Sequence, residues 1–244
     1  MKVSIITVSF NSGKTIEATI RSVLAQDDAD IEYIIIDGGS RDNTMDIVSK
    51  YQHRIAHVVS EPDQGIYDAM NKGVRLANGE LVGILNSDDT YAYPTVIADV
   101  VKTLGDSDAV YADLQYVDAD TGKVVRHWKS GKYKSGDFLK GWMPPHPTFF
   151  LRKKYYNNHG LYVVDQGTAA DYELMLRMIH RHGLKLSYLP KVITQMKTGG
   201  ASNITWKQRW KANQQDRLSW QMNGLTPKWY TLWLKPLRKI FQFF

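Results

Sequence analysis

Three acidic stretches of this 244-residue chain carry the residue types for chemistry. Residues 80–89 read ELVGILNSDD, an apolar run that stops at Asn86, Ser87, Asp88 and Asp89. Apolar residues at successive positions suit a strand covered on both faces. Two adjacent carboxylates at its end repel each other and call for a positive partner. A divalent cation that also carries a substrate diphosphate would serve, because Mg²⁺ is usually held by one or two carboxylates plus phosphates. Asn, Ser and Asp are also ordinary turn residues, so this stretch alone leaves a solvated turn open. Residues 33–37 read YIIID, a second apolar run that meets an acid at Asp37. Residues 168–177 read TAADYELMLR and put Asp171 near the start of an amphipathic helix, where an acid also suits the helix dipole.

The elements around these acids alternate. Residues 2–10 read as a strand, and a helix follows to about residue 26 with Ile16, Ile20, Val23 and Leu24 inward and Ser12 or Asn11 as its cap. Strands are expected at 33–37, 55–60 and 81–85, with helices at 42–51 and 66–77 between them. Such alternation with short connections implies a parallel sheet with right-handed crossovers. The polar loops 9–11, 37–40 and 86–89 then share one edge of one sheet, where open α/β sheets bind ligands. That convergence favours the cation reading over the turn. The obvious rivals are missing: no GxGxxG follows the first strand, and GxxxxGK[ST] does not occur.

Four ordered motifs, VSIITVSFN, IIIDGGSRDNT, SEPDQGIYDAMNKGVRLANGE and ILNSDD, resemble the family 2 glycosyltransferases over about residues 1–90. The resemblance is nearest in style to bacterial enzymes of capsule, exopolysaccharide or O-antigen assembly. It implies the GT-A fold, an α/β architecture with a mostly parallel central sheet flanked by helices. It also implies sugar transfer from a nucleotide-sugar, a UDP- or GDP-sugar, with inversion at the anomeric carbon and one Mn²⁺ or Mg²⁺. Carried onto this chain, Asp37 matches the acid that contacts the nucleobase, with Ser9 and Asn11 on the same donor edge. Asp88 and Asp89 match the DxD-type motif, Asp89 as the metal ligand and Asp88 facing the nucleotide. Asp68 and Lys72 could be a common i,i+4 ion pair on a helix surface, but their match to the family's DAMNKG stretch favours a donor-site role. His146, in PPHPTFFLR, matches a position that meets acceptor or diphosphate. Asp171 matches the catalytic base of the ED-type motif, whose first acid is here Ala170; Glu173 and Asp165 are the alternatives. Residues 198–202 (TGGAS) resemble the glycine-rich loop that closes the family's site.

In the second half a helix is expected at 93–104, a hairpin at 109–117 and 123–128, a loop over the site at 131–142 and a last strand at 185–197. The chain is therefore divided into a glycosyltransferase domain, 1–202, and a helical basic and aromatic appendage, 203–244. The appendage holds eight Lys and Arg against one acid, Asp216, so it carries +7 while residues 1–202 carry about −1. The net charge of +6 thus belongs to the tail, and a nucleic-acid-binding body is not indicated. Five of the seven tryptophans also lie there. Trp229, Trp233, Leu237 and Ile240 share a stripe largely opposite Lys228, Lys235, Arg238 and Lys239, a pattern suited to an anionic bilayer surface. Packing on the body would also explain the stripe; membrane attachment is preferred because a lipid-linked saccharide acceptor would account for it. WKQRW at 206–210 is like the QxxRW motif of processive members, but Trp206 stands where Gln or Arg should be, so processivity is not inferred.

The absence of cysteine excludes disulfides and thiolate nucleophiles. The first residues lack a signal peptide's apolar region, and no run approaches the ~20 apolar residues of a membrane span. These features lead to an expectation of a cytoplasmic enzyme, peripheral on the inner face of the cytoplasmic membrane. A sugar nucleotidyltransferase and a degenerate membrane scaffold are the competing readings. SFNSGKT is a poor nucleotidyltransferase loop, and the presence of Asp37, Asp88, Asp89 and Asp171 argues against degeneracy.

Overall fold

The first four strands are apolar at successive positions because both faces of their sheet are covered. The computed structural model describes residues 1–198 and 206–240, with side chains placed for 1–198 and 213–235. In chain order the elements begin β1 Lys2–Ser9, α1 Ile16–Leu24, β2 Asp30–Asp37, α2 Thr44–Ser49, β3 His57–Ser60, α3 Ile66–Leu76 and β4 Leu81–Ile84. They continue β5 Asp89–Tyr91, α4 Val96–Leu104, β6 Ala109–Asp118, β7 Val124–Trp128, β8 Phe150–Arg152, α5 Lys153–His159, α6 Ala170–Met175, β9 Leu186–Thr198, α7 Trp206–Met222 and α8 Thr231–Ile240. Ile34 and Ile36 of β2 enter one core with Ile6, Met70 of α3 and Leu174 of α6. Tyr33 and Ile35 enter the other core with Ile5, Ile20 of α1 and Val100 of α4. A strand between two cores has no polar face, hence YIII.

The strand order is β3-β2-β1-β4-β8-β6-β9-β5, with β7 paired to β6. The first four strands are parallel, as the alternation requires. Beyond β4 the sheet becomes mixed: β8 is antiparallel to both β4 and β6, β9 is parallel to β6, and β5 is antiparallel to β9. The parallel character is therefore confined largely to residues 1–84. Three details differ from the sequence reading. Asp89 begins a short strand, β5, that pairs with β9 (Asp89 opposite Met196), so it is not a turn residue. The first helix starts at Ile16 behind Thr15, and neither Asn11 nor Ser12 caps it through a side chain. The β6–β9 register slips between Ala112 and Asp113, beside Pro190, which has no N–H to give the ladder.

Residues 213–235 pack on the body. Trp220 is buried in the same core as α3 and α6, and its indole N–H donates to the Tyr172 hydroxyl at 2.9 Å. Lys235 reaches Asp216 at 2.7 Å and lies 3.6 Å from the Tyr172 ring centroid. Trp229 and Trp233, in contrast, are 84% and 69% exposed. The loop at 199–202 and the side chains of Trp206, Trp210, Leu237, Arg238, Lys239 and Ile240, all used in the sequence reading, lie outside the described residues.

Candidate active site

Parallel register brings the first acid to its partners. Ser9, Asp37 and Ser60 are the last residues of β1, β2 and β3, and they stand side by side. The Asp37 carboxylate is fully buried and accepts five hydrogen bonds. Ser9 Oγ donates at 3.0 Å and Ser40 Oγ at 2.5 Å to Oδ1. Ser60 Oγ donates at 2.7 Å, the Ser40 amide at 2.8 Å and the Gly39 amide at 3.1 Å to Oδ2. Burial pushes this carboxyl up, but the serine and amide donors outweigh it and hold it below the ordinary value. Asn11, in the left-handed region that Asn tolerates (φ 49°), donates its amide to Ser40 Oγ and accepts from the Arg41 amide. Ser9, Asn11 and Asp37 thus brace the sheet edge.

The brace reaches the paired acids through one contact, Ser12 Oγ to Ser87 Oγ at 2.7 Å. Asp89 is fully buried, and Thr19 Oγ1 donates to its carbonyl at 2.7 Å. Its Oδ2 accepts from the Asn86 amide at 3.2 Å, while Asp89 Oδ1 and Asn86 Oδ1 are buried with no hydrogen-bond partner. Burial first, and the Asp88 charge second, push the Asp89 carboxyl well above its ordinary value. Two orphaned buried oxygens beside a second carboxylate fit a cation. Among the described residues no group of three or more His, Asp or Glu could hold a metal. The donor set therefore suits a hard cation that takes its remaining ligands from substrate oxygens and water.

A cavity of about 200 Å³ lies next to this loop, and Asn86, His146 and Asp171 all line it. Ile66, Tyr67 and Met70 of α3, Tyr116 and Trp128 of the β6–β7 hairpin, and Met196 of β9 complete most of its wall. Asp171 sits in the first turn of α6, its Oδ1 accepting its neighbour's amide at 2.7 Å. Tyr67 lines the cavity with Asp171, and burial followed by the Asp171 charge raises the pKa of its hydroxyl. His146 Nε2 meets the Tyr162 hydroxyl at 2.8 Å, and Tyr162 stacks on Tyr67. Burial lowers the His146 pKa, with Asp171 acting the other way, so the imidazole is held neutral. Arg126 lies 4.6 Å from the Tyr116 ring centroid and 5.7 Å from that of Trp128, so a cation backs the aromatic wall.

The cavity thus unites Asp171, His146 and Asn86; Asp88 and Asp89 follow Asn86 in the adjoining loop without lining it, and neither do Ser9, Asn11 and Asp37. Asp68 and Lys72 do not line the cavity. Lys72 is committed to Glu61 (2.9 Å) and the Pro62 carbonyl (3.0 Å), with Asp68 at 3.7 Å. Glu173 is consumed by Arg177 at 2.9 Å and by Asn223 at 3.0 Å, and Asp165 is exposed. The buried methyl of Ala170 fills the place of the missing motif acid. Sequence reasoning missed Asn86, Tyr67, Tyr162 and Trp128. Tyr67, beside Asp68, and Asn86, in the ILNSDD motif, were within reach; Tyr162 and Trp128 depend on packing between elements distant in sequence.

A sheet parallel in its first half and mixed in its second is the GT-A fold, shared with solved glycosyltransferase structures. The profile of Glycosyl transferase family 2 matches residues 4–165, and the chain belongs to that family. An uncharacterised glycosyltransferase of Mycobacterium tuberculosis is 35% identical over 181 residues, covering 72% of this chain and 68% of the relative. A PGL/p-HBAD biosynthesis glycosyltransferase of Mycobacterium bovis is 28% identical over 204 residues, covering 82% and 78%. Among solved structures, S. aureus TarS in complex with UDP-GlcNAc is similar with a TM-score of 0.72 and 19% identity over 90% of this chain. This chain spans 65% of the length of that TarS chain. The Pyrobaculum calidifontis mannosyltransferase PcManGT, in complex with GDP-Man and Mn²⁺, has a TM-score of 0.69 and 20% identity, covering 96% of this chain and 72% of the other.

Proposed function

We propose that this chain transfers a sugar from a UDP- or GDP-sugar to a hydroxyl of a saccharide, in a single inverting displacement. The observation that carries the reading is the convergence on one cavity of Asp171 and Asn86, the residue that leads into the paired acids. A base is needed on one side of the reacting carbon and charge neutralisation on the other. Asp171, from the first turn of α6, takes the proton of the acceptor hydroxyl as that oxygen attacks the anomeric carbon. The bond from that carbon to the donor phosphate breaks and the nucleoside diphosphate departs, so no enzyme nucleophile is required. Tyr67, on the same cavity wall, faces the Asp171 charge. Neutral His146, fixed by Tyr162, presents a hydrogen-bonding edge to acceptor or diphosphate without adding charge. Trp128 and Tyr116 offer flat faces for a sugar ring.

Asp89 and Asn86 would hold Mn²⁺ or Mg²⁺, with Asp88 toward the nucleotide. The chemistry such a cation supplies is neutralisation of the donor diphosphate. Ser9, Asn11 and Asp37 build the edge on which the nucleoside lies, and Asp68 and Lys72 hold its rim. The exposed Trp229 and Trp233 support peripheral attachment to an anionic membrane, where a lipid-linked saccharide acceptor would be presented. No helix among the described residues is long and apolar enough to cross a membrane.

The test is release of nucleoside diphosphate from a panel of UDP- and GDP-sugars by the full chain, with saccharide acceptors, in Mn²⁺ and in EDTA. Turnover of one donor that requires cation, and that Asp171→Asn lowers by about 10²–10⁴-fold while donor still binds, supports the reading. Equal turnover by wild type and Asp171→Asn contradicts the assignment of the base.

A further inference from the structure

Asp37 is the acid that the family resemblance assigns to the nucleobase, yet both its oxygens are occupied by five donors from its own protein. A different acid stands free on the same edge. Asp63, in the loop between β3 and α3, uses Oδ1 to accept the Gly65 amide at 2.8 Å. Its Oδ2 takes no hydrogen bond from the described residues. That oxygen lies over Gly38, only 2.5 Å from where a Cβ on residue 38 would be. The glycine therefore makes the room that the carboxylate occupies. Phe10, at the end of β1, has Cδ2 3.4 Å from the same point, and it is 63% exposed. A large aromatic left this exposed at the carboxyl edge of a parallel sheet is a stacking platform for a flat ring. The next turn of the same loop carries Ser12, which bonds Ser87 beside the paired acids. A nucleotide whose base lies on Phe10 thus runs along the edge toward Asp88 and Asp89.

We propose that Asp63, and not Asp37, reads the nucleobase, by accepting with Oδ2 the imide N–H of a uracil or thymine ring stacked on Phe10. This rests on the nucleotide-sugar reading above. With Oδ1 committed to Gly65, one carboxylate oxygen faces the ligand. That matches the single N3–H of an imide pyrimidine; the paired N1–H and N2–H of guanine call for both oxygens. Cytosine has an acceptor at N3 and meets the carboxylate as a lone pair against a negative charge. Gly38 has an ordinary backbone conformation, so adding a methyl there displaces the Asp63 carboxylate without straining the chain.

The test is calorimetric titration of the full chain with UDP, dTDP, CDP and GDP in Mn²⁺. Wild type is expected to bind UDP or dTDP at least about tenfold more tightly than CDP or GDP, the size of one hydrogen bond to a charged group. The two imide arms decide between uracil and thymine. Asp63→Ala and Gly38→Ala should each bring the CDP-to-UDP ratio of Kd near one, with UDP weakened, CDP bound at least as tightly as by wild type, and the melting temperature of the unliganded protein held. Phe10→Leu should weaken every nucleotide together. An unchanged ratio in Asp63→Ala, equal loss of UDP and CDP in that variant, or a wild-type preference for GDP each overturns the assignment and leaves the nucleotide-sugar reading standing. Binding of no nucleoside diphosphate by wild type overturns both.

Discussion

Asp37 shows how a single side chain can hold a sheet edge. Its five donors come from two strand ends and one loop, so the carboxylate, itself the end of β2, ties β1, β2 and β3 at their carboxyl edge. Asp37→Asn turns an acceptor into a partial donor against these groups and should cost about 3 kcal/mol in urea unfolding at pH 7. The sign with pH follows from the lowered folded value. The unfolded carboxylate binds protons first, so the stabilisation is present above about pH 4 and is lost as pH falls through the lower folded value. The gap between wild type and Asp37→Asn should therefore narrow in acid; a gap that is constant from pH 7 to pH 3 would contradict the brace. Ser40, three residues away, makes part of this legible in the sequence. Ser9 and Ser60 do not, because only the register of three strands puts them beside Asp37. Asp171 was singled out by the resemblance of its stretch to the ED-type motif, whereas its company, His146 and Tyr67, follows from packing between elements.

At the scale of elements, the joint between the body and the C-terminal helices is set by a glycine. Gly141 has φ 74°, and a Cβ there would lie 2.4 Å from the backbone nitrogen of Lys235 in α8. Gly141→Ala should lower amide-exchange protection across residues 231–235, at a cost above about 1 kcal/mol, while β1 and β2 keep theirs. Unaltered exchange in α8 would contradict this docking. Trp220→Ala leaves a hole among Tyr172 and the α6 side chains, and should cost about 3–5 kcal/mol in the same unfolding experiment. The first four strands and their helices were legible because a strand between two cores has a continuous apolar run and each crossover helix carries its own period. The second half was not. β8 has three residues, β5 has three, and their partners β4, β6 and β9 lie far away in sequence, so no local pattern announces the mixed sheet.

At the scale of the molecule, the basic C-terminal segment sorts its described apolar side chains between core and surface. The tail segment carries +7, its Trp220 and Leu232 are turned into the core, and Trp229 and Trp233 are turned out. Trp229→Ser with Trp233→Ser should lower sedimentation with phosphatidylglycerol-containing vesicles several-fold and leave nucleotide binding unchanged. Undiminished sedimentation would remove these rings from any membrane contact. The composition alone showed the segregated charge; which tryptophans pack and which face outward depended on how α7 and α8 meet α6. The central claim is that the 86–89 loop and Asp171 work as one site on a nucleotide-sugar. Its most direct test is a thermal-shift panel of UDP, GDP, dTDP and CMP, each with Mn²⁺, Mg²⁺ and EDTA, on wild type, Asp89→Ala and Asp171→Asn. A ligand that binds only the folded chain raises its melting temperature by mass action. The account predicts a cation-dependent rise with one nucleoside diphosphate, lost in Asp89→Ala and kept in Asp171→Asn; no rise with any pair in the folded wild type, or a rise that survives in Asp89→Ala, would contradict it.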